Sequence, residues 1–187
     1  MARWEPNASG RLREAAMALY TERGYEQTTV GDIAERAGLT ARTFFRYFAD
    51  KREVLFAGSE ALEGALRSAV DEAPEDASPM QVVAAVLDGI AALIGRDRDY
   101  SRQRQVVIDA TPELQERELI KLARLALVLR DALRARGVSD PEAGLAAETA
   151  LAIVRVGFDR WINTDDEREL ADVLRESLAR LETLVAP

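Results

Sequence analysis

TTVGDIAERAGLTARTFFRYFADK, residues 28–51, encodes two short helices and the turn between them. Thr29 and Asp32 stand at the Thr-x-x-acid spacing of a capping box, so a helix starts at Val30. Val30, Ile33, Ala34 and Ala37 recur at helical spacing and give it one apolar face. Gly38 supplies the left-handed residue that ends it. Thr40 caps a second helix running through Phe48, with Phe44 and Phe48 on its buried side. On the other side Arg42 and Arg46 lie one turn apart, as do Thr43 and Tyr47, and Lys51 continues the direction. Two guanidiniums, two hydroxyls and an ammonium suit a phosphate backbone and the base edges between phosphates. Any soluble helix needs a polar face. A capped helix, a glycine turn and an aromatic run beside that face are the parts of a helix-turn-helix.

These residues resemble the DNA-binding region of the TetR family of transcriptional regulators. The similarity rests on Thr28-Thr29-Val30, Asp32-Ile33-Ala34, Ala37-Gly38-Leu39-Thr40, Thr43-Phe44-Phe45-Arg46-Tyr47-Phe48 and Asp50-Lys51, and covers about a quarter of the chain, from Arg11 to Phe56. The resemblance implies an all-α, nine-helix homodimer, usually a repressor released from a palindromic operator by a small ligand. It implies a helix-turn-helix domain over residues 1–50 and a helical ligand-binding and dimerisation domain over 51–187. At the matching positions, Arg42 and Thr43 would contact base edges. Thr29, Thr40, Arg46, Tyr47 and Lys51 would hold phosphates, and Phe45 would lie against a sugar or a thymine methyl. Phe45 stands where many relatives have tyrosine, Arg42 replaces a frequent glycine and Ala41 a frequent lysine, so no operator sequence carries over.

Bulk composition narrows the alternatives. The 187 residues include no cysteine and no histidine, which removes disulfides, thiolate chemistry, Ser-His-Asp catalysis and the usual zinc sites. No enzymatic activity, cofactor or metal is expected. No apolar run reaches the roughly 18 residues of a membrane span, and the first residues lack a signal-peptide core, so a cytoplasmic protein is expected. The net charge of -8 is unevenly placed: residues 1–56 carry 9 Lys and Arg against 8 Asp and Glu, and the remainder 16 against 25. Acid concentrated away from the reader disfavours a non-specific DNA coater.

Around the motif, Met1 to Ser9 reads as an irregular arm in which Arg3 could reach DNA. A first helix from Ser9 or Gly10 to Arg23 turns Leu12, Ala15, Ala16, Leu19 and Tyr20 toward Ile33, Leu39, Phe44 and Phe48. A fourth helix is expected from Lys51 to about Val70, with Lys51 and the exposed N–H groups jointly holding a phosphate. Ala73 to Pro79 is a linker. Further helices follow from Ser78-Pro79 to Ile94, from Asp97 to Ala110, from Thr111-Pro112 to before Gly137, and from Asp140-Pro141 to Asn163. Thr164-Asp165-Asp166-Glu167 forms another capping box and would start the ninth, to about Leu184.

Helix 8 is apolar most of the way round and helix 9 carries a leucine-valine stripe, so both close a core, a homodimer contact or both. Arg155, inside the apolar run of helix 8, needs a partner if buried. Either Asp159 one turn later neutralises it, or it anchors a small-molecule effector of unidentified structure, with Phe158 and Trp161 as walls. Tyr100 and Arg104 are further ligand candidates.

Overall fold

Helix starts in this chain are marked by side chains that take up free backbone N–H groups. The structure, a computed structural model, describes residues 7–186; Arg3 and most of the proposed arm lie outside the described residues. Among these are nine helices and no strand: α1 Ala8–Arg23, α2 Val30–Arg36, α3 Ala41–Tyr47, α4 Ser59–Glu72, α5 Pro79–Ile94, α6 Arg98–Asp109, α7 Pro112–Ala135, α8 Asp140–Asn163 and α9 Leu170–Val185. Asn7 caps α1 and Thr40 caps α3, while Thr29 with Asp32 and Ser78 with Gln81 form complete capping boxes. Gly38 sits at φ 65°, and the Leu39 amide reaches back 2.8 Å to the Ala34 carbonyl, closing α2 in a Schellman turn.

Two helix starts differ from the sequence expectation. α4 begins at Ser59 rather than Lys51, and residues 51–58 form consecutive turns. Asp50 accepts from the amides of Arg52 and Glu53, but Leu55 and Phe56 bond only three residues back, to the carbonyls of Arg52 and Glu53. Val54, Leu55 and Phe56 are all buried, which three consecutive residues of a helix with one apolar face do not achieve. Gly58, at φ 104°, then resets the backbone into α4. α9 begins at Leu170, and the Thr164–Glu167 box does not form. Thr164 ends α8 instead: Arg98 and Arg102 donate to its carbonyl, and its hydroxyl is 3.3 Å from Asp166.

By packing the chain forms two compact units. The first contains the described residues up to Ala57 together with Gln103–Arg117; the second contains Gly58–Arg102 and the rest from Glu118. In the first, α1 packs on α2 and α3, and its core includes Leu12, Ala16, Ile33, Phe44 and Phe48, with Leu39 half-exposed. A division at residue 50 separates Val54, Leu55 and Phe56 from the unit in which they are buried. It also omits the α6–α7 corner. Within this unit Arg104 donates 2.8 Å to the Leu55 carbonyl with its guanidinium 5.1 Å from the Phe56 ring, and Arg117 pairs with Glu53 at 2.7 Å.

In the second unit α5 is central, packing Val82, Val83, Val86, Leu87 and Ile90 against α4, α8 and α9. Arg136 closes the end of α4 by donating to the carbonyls of Val70 at 2.8 Å and Ala73 at 3.0 Å. Close approach of α8 and α9 depends on Gly157, where a Cβ would stand 2.5 Å from Leu174 Cδ2, itself in the core. Gly157→Val should therefore lower stability by about 1–3 kcal/mol in chemical denaturation, the usual cost of overpacking. Gly64→Ala, with nothing within 4 Å of the added carbon, should raise it slightly.

Candidate nucleic-acid interface

The short helix α3 turns most of its seven residues outward. Phe44 is fully buried and packs at a tilt on Phe48, 5.5 Å between ring centres, which pins the helix from beneath. Ala41, Arg42, Phe45, Arg46 and Tyr47 are exposed, Phe45 to 59% and Tyr47 to 43%. Phe45 meets the Phe44 ring edge-on, at 5.5 Å between centres and 83° between planes, and otherwise faces outward. Two aromatic side chains thus lie exposed beside two arginines on one short helix.

Thr29 Oγ1 accepts the Asp32 amide and donates 2.6 Å to the Asp32 carboxylate. The Thr29 hydroxyl and amide, then Arg23, hold the Asp32 carboxyl down at about 2, so the box stays ionised and closed at neutral and mildly acid pH. Thr40 Oγ1 accepts the Thr43 amide, and the two hydroxyls are 3.1 Å apart. Arg46 donates 3.1 Å to the Tyr47 hydroxyl, with its guanidinium 4.9 Å from the Tyr47 ring. Arg42 makes no such contact among the described residues.

Lys51 is placed differently from the expected phosphate contact. Its ammonium donates to the carbonyls of Tyr25 at 2.9 Å and Thr28 at 3.2 Å and lies 4.0 Å from the Tyr25 ring centre. Its own carbonyl accepts from the Tyr20 hydroxyl at 2.7 Å. Because α4 starts further on, no helix N-terminus is present at Lys51 to share a phosphate. Burial, then the Glu113 carboxylate, pushes the Tyr25 phenol well above its ordinary value, so this packing remains neutral beneath the ammonium.

The five ligand candidates divide between the two units. Arg104 belongs to the first unit and is spent on Leu55 and Phe56. Arg155 is exposed and, among the described residues, makes no ion pair with Asp159, whose carboxylate accepts from Asn163 instead. Trp161 is buried, donating 3.0 Å to the Arg168 carbonyl, and Phe158 packs against it at 5.9 Å as part of the core. Tyr100 is half-buried on α6. A recess of about 650 Å³ opens elsewhere, between α4 and α5, walled by Ala65, Ala69, Ala85 and Gly89 and bordered by Glu72 and Asp76. Sequence reading missed Glu53 and Arg117, a pair 64 residues apart that no local pattern connects. No group of acidic residues that could hold a metal occurs among the described residues, and no single helix there is long and apolar enough to cross a membrane.

Comparison with known proteins agrees with this geometry. Residues 12–57 match the bacterial regulatory proteins of the tetR family, and residues 77–186, more than half of the chain, match the MftR C-terminal domain. The HTH-type transcriptional regulator TcmR of Streptomyces glaucescens is 40% identical over 88 residues, 47% of this chain but only 37% of that protein. The HTH-type transcriptional repressor KstR of Rhodococcus jostii is 27% identical over 156 residues, 82% of this chain and 68% of its own. Among solved structures, the TetR-family repressor FadR of Thermus thermophilus in complex with lauroyl-CoA shares the fold. Its TM-score is 0.61, with 24% identity over 96% of this chain and 95% of that one.

The position of Lys51 has a direct consequence for stability. Lys51→Met removes two charge-assisted hydrogen bonds and should lower the unfolding free energy by about 1–3 kcal/mol, measured by urea denaturation.

Proposed function

This chain belongs to the TetR family of bacterial transcriptional regulators, and on that premise we propose that it is a ligand-responsive repressor, binding a palindromic operator as a homodimer. Members of this family are regulators and not enzymes. The observation that carries the reading is α3, a helix pinned by Phe44 that turns Arg42, Phe45, Arg46 and Tyr47 outward together. Arg42 and Thr43 would meet base edges, and Arg46, Tyr47, Thr40 and Thr29 the flanking phosphates. Repression would follow from occupancy. Two such helices must stand roughly 34–36 Å apart to enter successive major grooves. A small effector releases the protein by binding better to a state in which that spacing is lost.

The second copy is proposed to pack on α8 and α9. The outer side of α8 carries Leu145 and Val156, 71% and 60% exposed, with Ala152 between them. Glu148 and Arg155 flank them, exposed and without a partner among the described residues. In an antiparallel crossing centred near Ala152, Glu148 comes opposite Arg155 of the second copy, and two-fold symmetry makes that pair twice. Leu184 and Val185 of α9 add exposed apolar surface. The effector is a small molecule, for which lauroyl-CoA, held by the Thermus thermophilus relative, is a first probe.

Salt titration of binding to the DNA upstream of its own gene tests the reading. Arg46→Met should flatten the log-log salt slope by about 1.8, two phosphate contacts per dimer, whereas Lys51→Met should leave it unchanged. A salt-independent signal would sink the DNA-binding reading. For the dimer, Glu148→Arg and Arg155→Glu should each shift sedimentation toward monomer and the double exchange should restore it. Single variants that stay fully dimeric would remove this contact from the proposal.

A further inference from the structure

The cations of the first unit are nearly all committed inside the protein. Arg23, Arg52 and Arg117 pair with the carboxylates of Asp32, Asp50 and Glu53, and Arg36 with Glu22. Arg46 is tied to Tyr47 and Lys51 to two carbonyls. Arg11, Arg13 and Arg104 are engaged as well. Arg42 is exposed, and among the described residues it makes no hydrogen bond, ion pair or ring contact. A guanidinium that breaks no internal bond when it docks keeps its full fork of donors for the ligand. The group in a major groove that matches that fork is guanine, through O6 and N7.

Phe45, one turn along, complements it. Its ring faces outward, touching Phe44 at one edge, and has no hydroxyl to offer a phosphate. The apolar feature that a major groove presents is the thymine methyl. Thr43 is less available, since its hydroxyl already lies 3.1 Å from that of Thr40. Positions 42 and 45 share a helix face and are separated by roughly 4.5 Å along the axis, against roughly 3.4 Å per base pair. We infer that Arg42 and Phe45 read a guanine and a thymine one or two base pairs apart in each half-site, and that these two side chains carry most of the sequence preference. This rests on the DNA-binding reading above.

Selection from a duplex library with randomised symmetric half-sites tests it, using the wild type, Arg42→Ala and Phe45→Ala. Both side chains are exposed, so unchanged melting temperatures certify that the variants fold. The wild type should enrich guanine and thymine at that separation. Arg42→Ala should lose the guanine preference alone, by roughly tenfold or more. Phe45→Ala should lose the thymine preference alone. Uracil in place of that thymine, which removes only the methyl, should weaken the wild type and leave Phe45→Ala unaffected. If the wild-type motif lacks either base, or the variants select the same motif as the wild type, the inference is overturned while DNA binding stands. If the wild type enriches no sequence and retains no duplex, the DNA-binding reading itself fails.

Discussion

One ammonium closes the reading head at its base. Lys51 follows the helix-turn-helix in sequence, yet its Nζ reaches back to the carbonyls of Tyr25 and Thr28, in the loop where the chain enters that motif. The Tyr20 hydroxyl, from α1, holds the Lys51 carbonyl in turn. Entry and exit of α2 and α3 are thus fastened to each other and to α1, in a partly buried setting where a cation's hydrogen bonds to carbonyls are strong. The orientation of α3 follows from this closure and from Phe44 beneath it. A cation that could have served the ligand serves the fold.

Local signals made the motif readable, and distant ones hid the rest. The Thr29–Asp32 box, Gly38 and Thr40 act within four residues of themselves, and the structure places α2 and α3 where they indicate. The start of α4 is set by the need to bury Val54, Leu55 and Phe56 together, which depends on segments far along the chain. The Thr164 box has the right residues, but Arg98 and Arg102, more than sixty positions earlier, draw on the Thr164 carbonyl to end α8. Arg155 lies in an apolar run and suggested burial. The run is wide but not continuous around the helix, and Ala152, Arg155, Val156 and Asp159 form its open side. Arg104 reads from the sequence only as a ligand candidate, and nothing in its neighbourhood indicates that its acceptor is a carbonyl 49 residues away.

Charge placement and packing together set what kind of reader this can be. Residues 1–56 are close to neutral overall while the remainder is strongly acidic, so diffuse attraction to DNA is weak. Most cations near the reading helix already have internal partners. On the proposed DNA-binding reading, a reader with few free cations and an acidic body would hold non-specific DNA weakly, and discrimination would rest on a small number of side chains.

The assignment of Gln103–Arg117 to the first unit bears on how such proteins can be recombined. The head is not a contiguous cassette. Exchanging residues up to 57 for those of a relative would replace Glu53, Leu55 and Phe56 while leaving behind Arg104 and Arg117, which grip them. Val107, Ile108 and Leu114, all buried, would then meet a foreign surface. A working chimera must transplant both pieces, and a lineage that acquires a new operator by shuffling must carry the corner along or rebuild it.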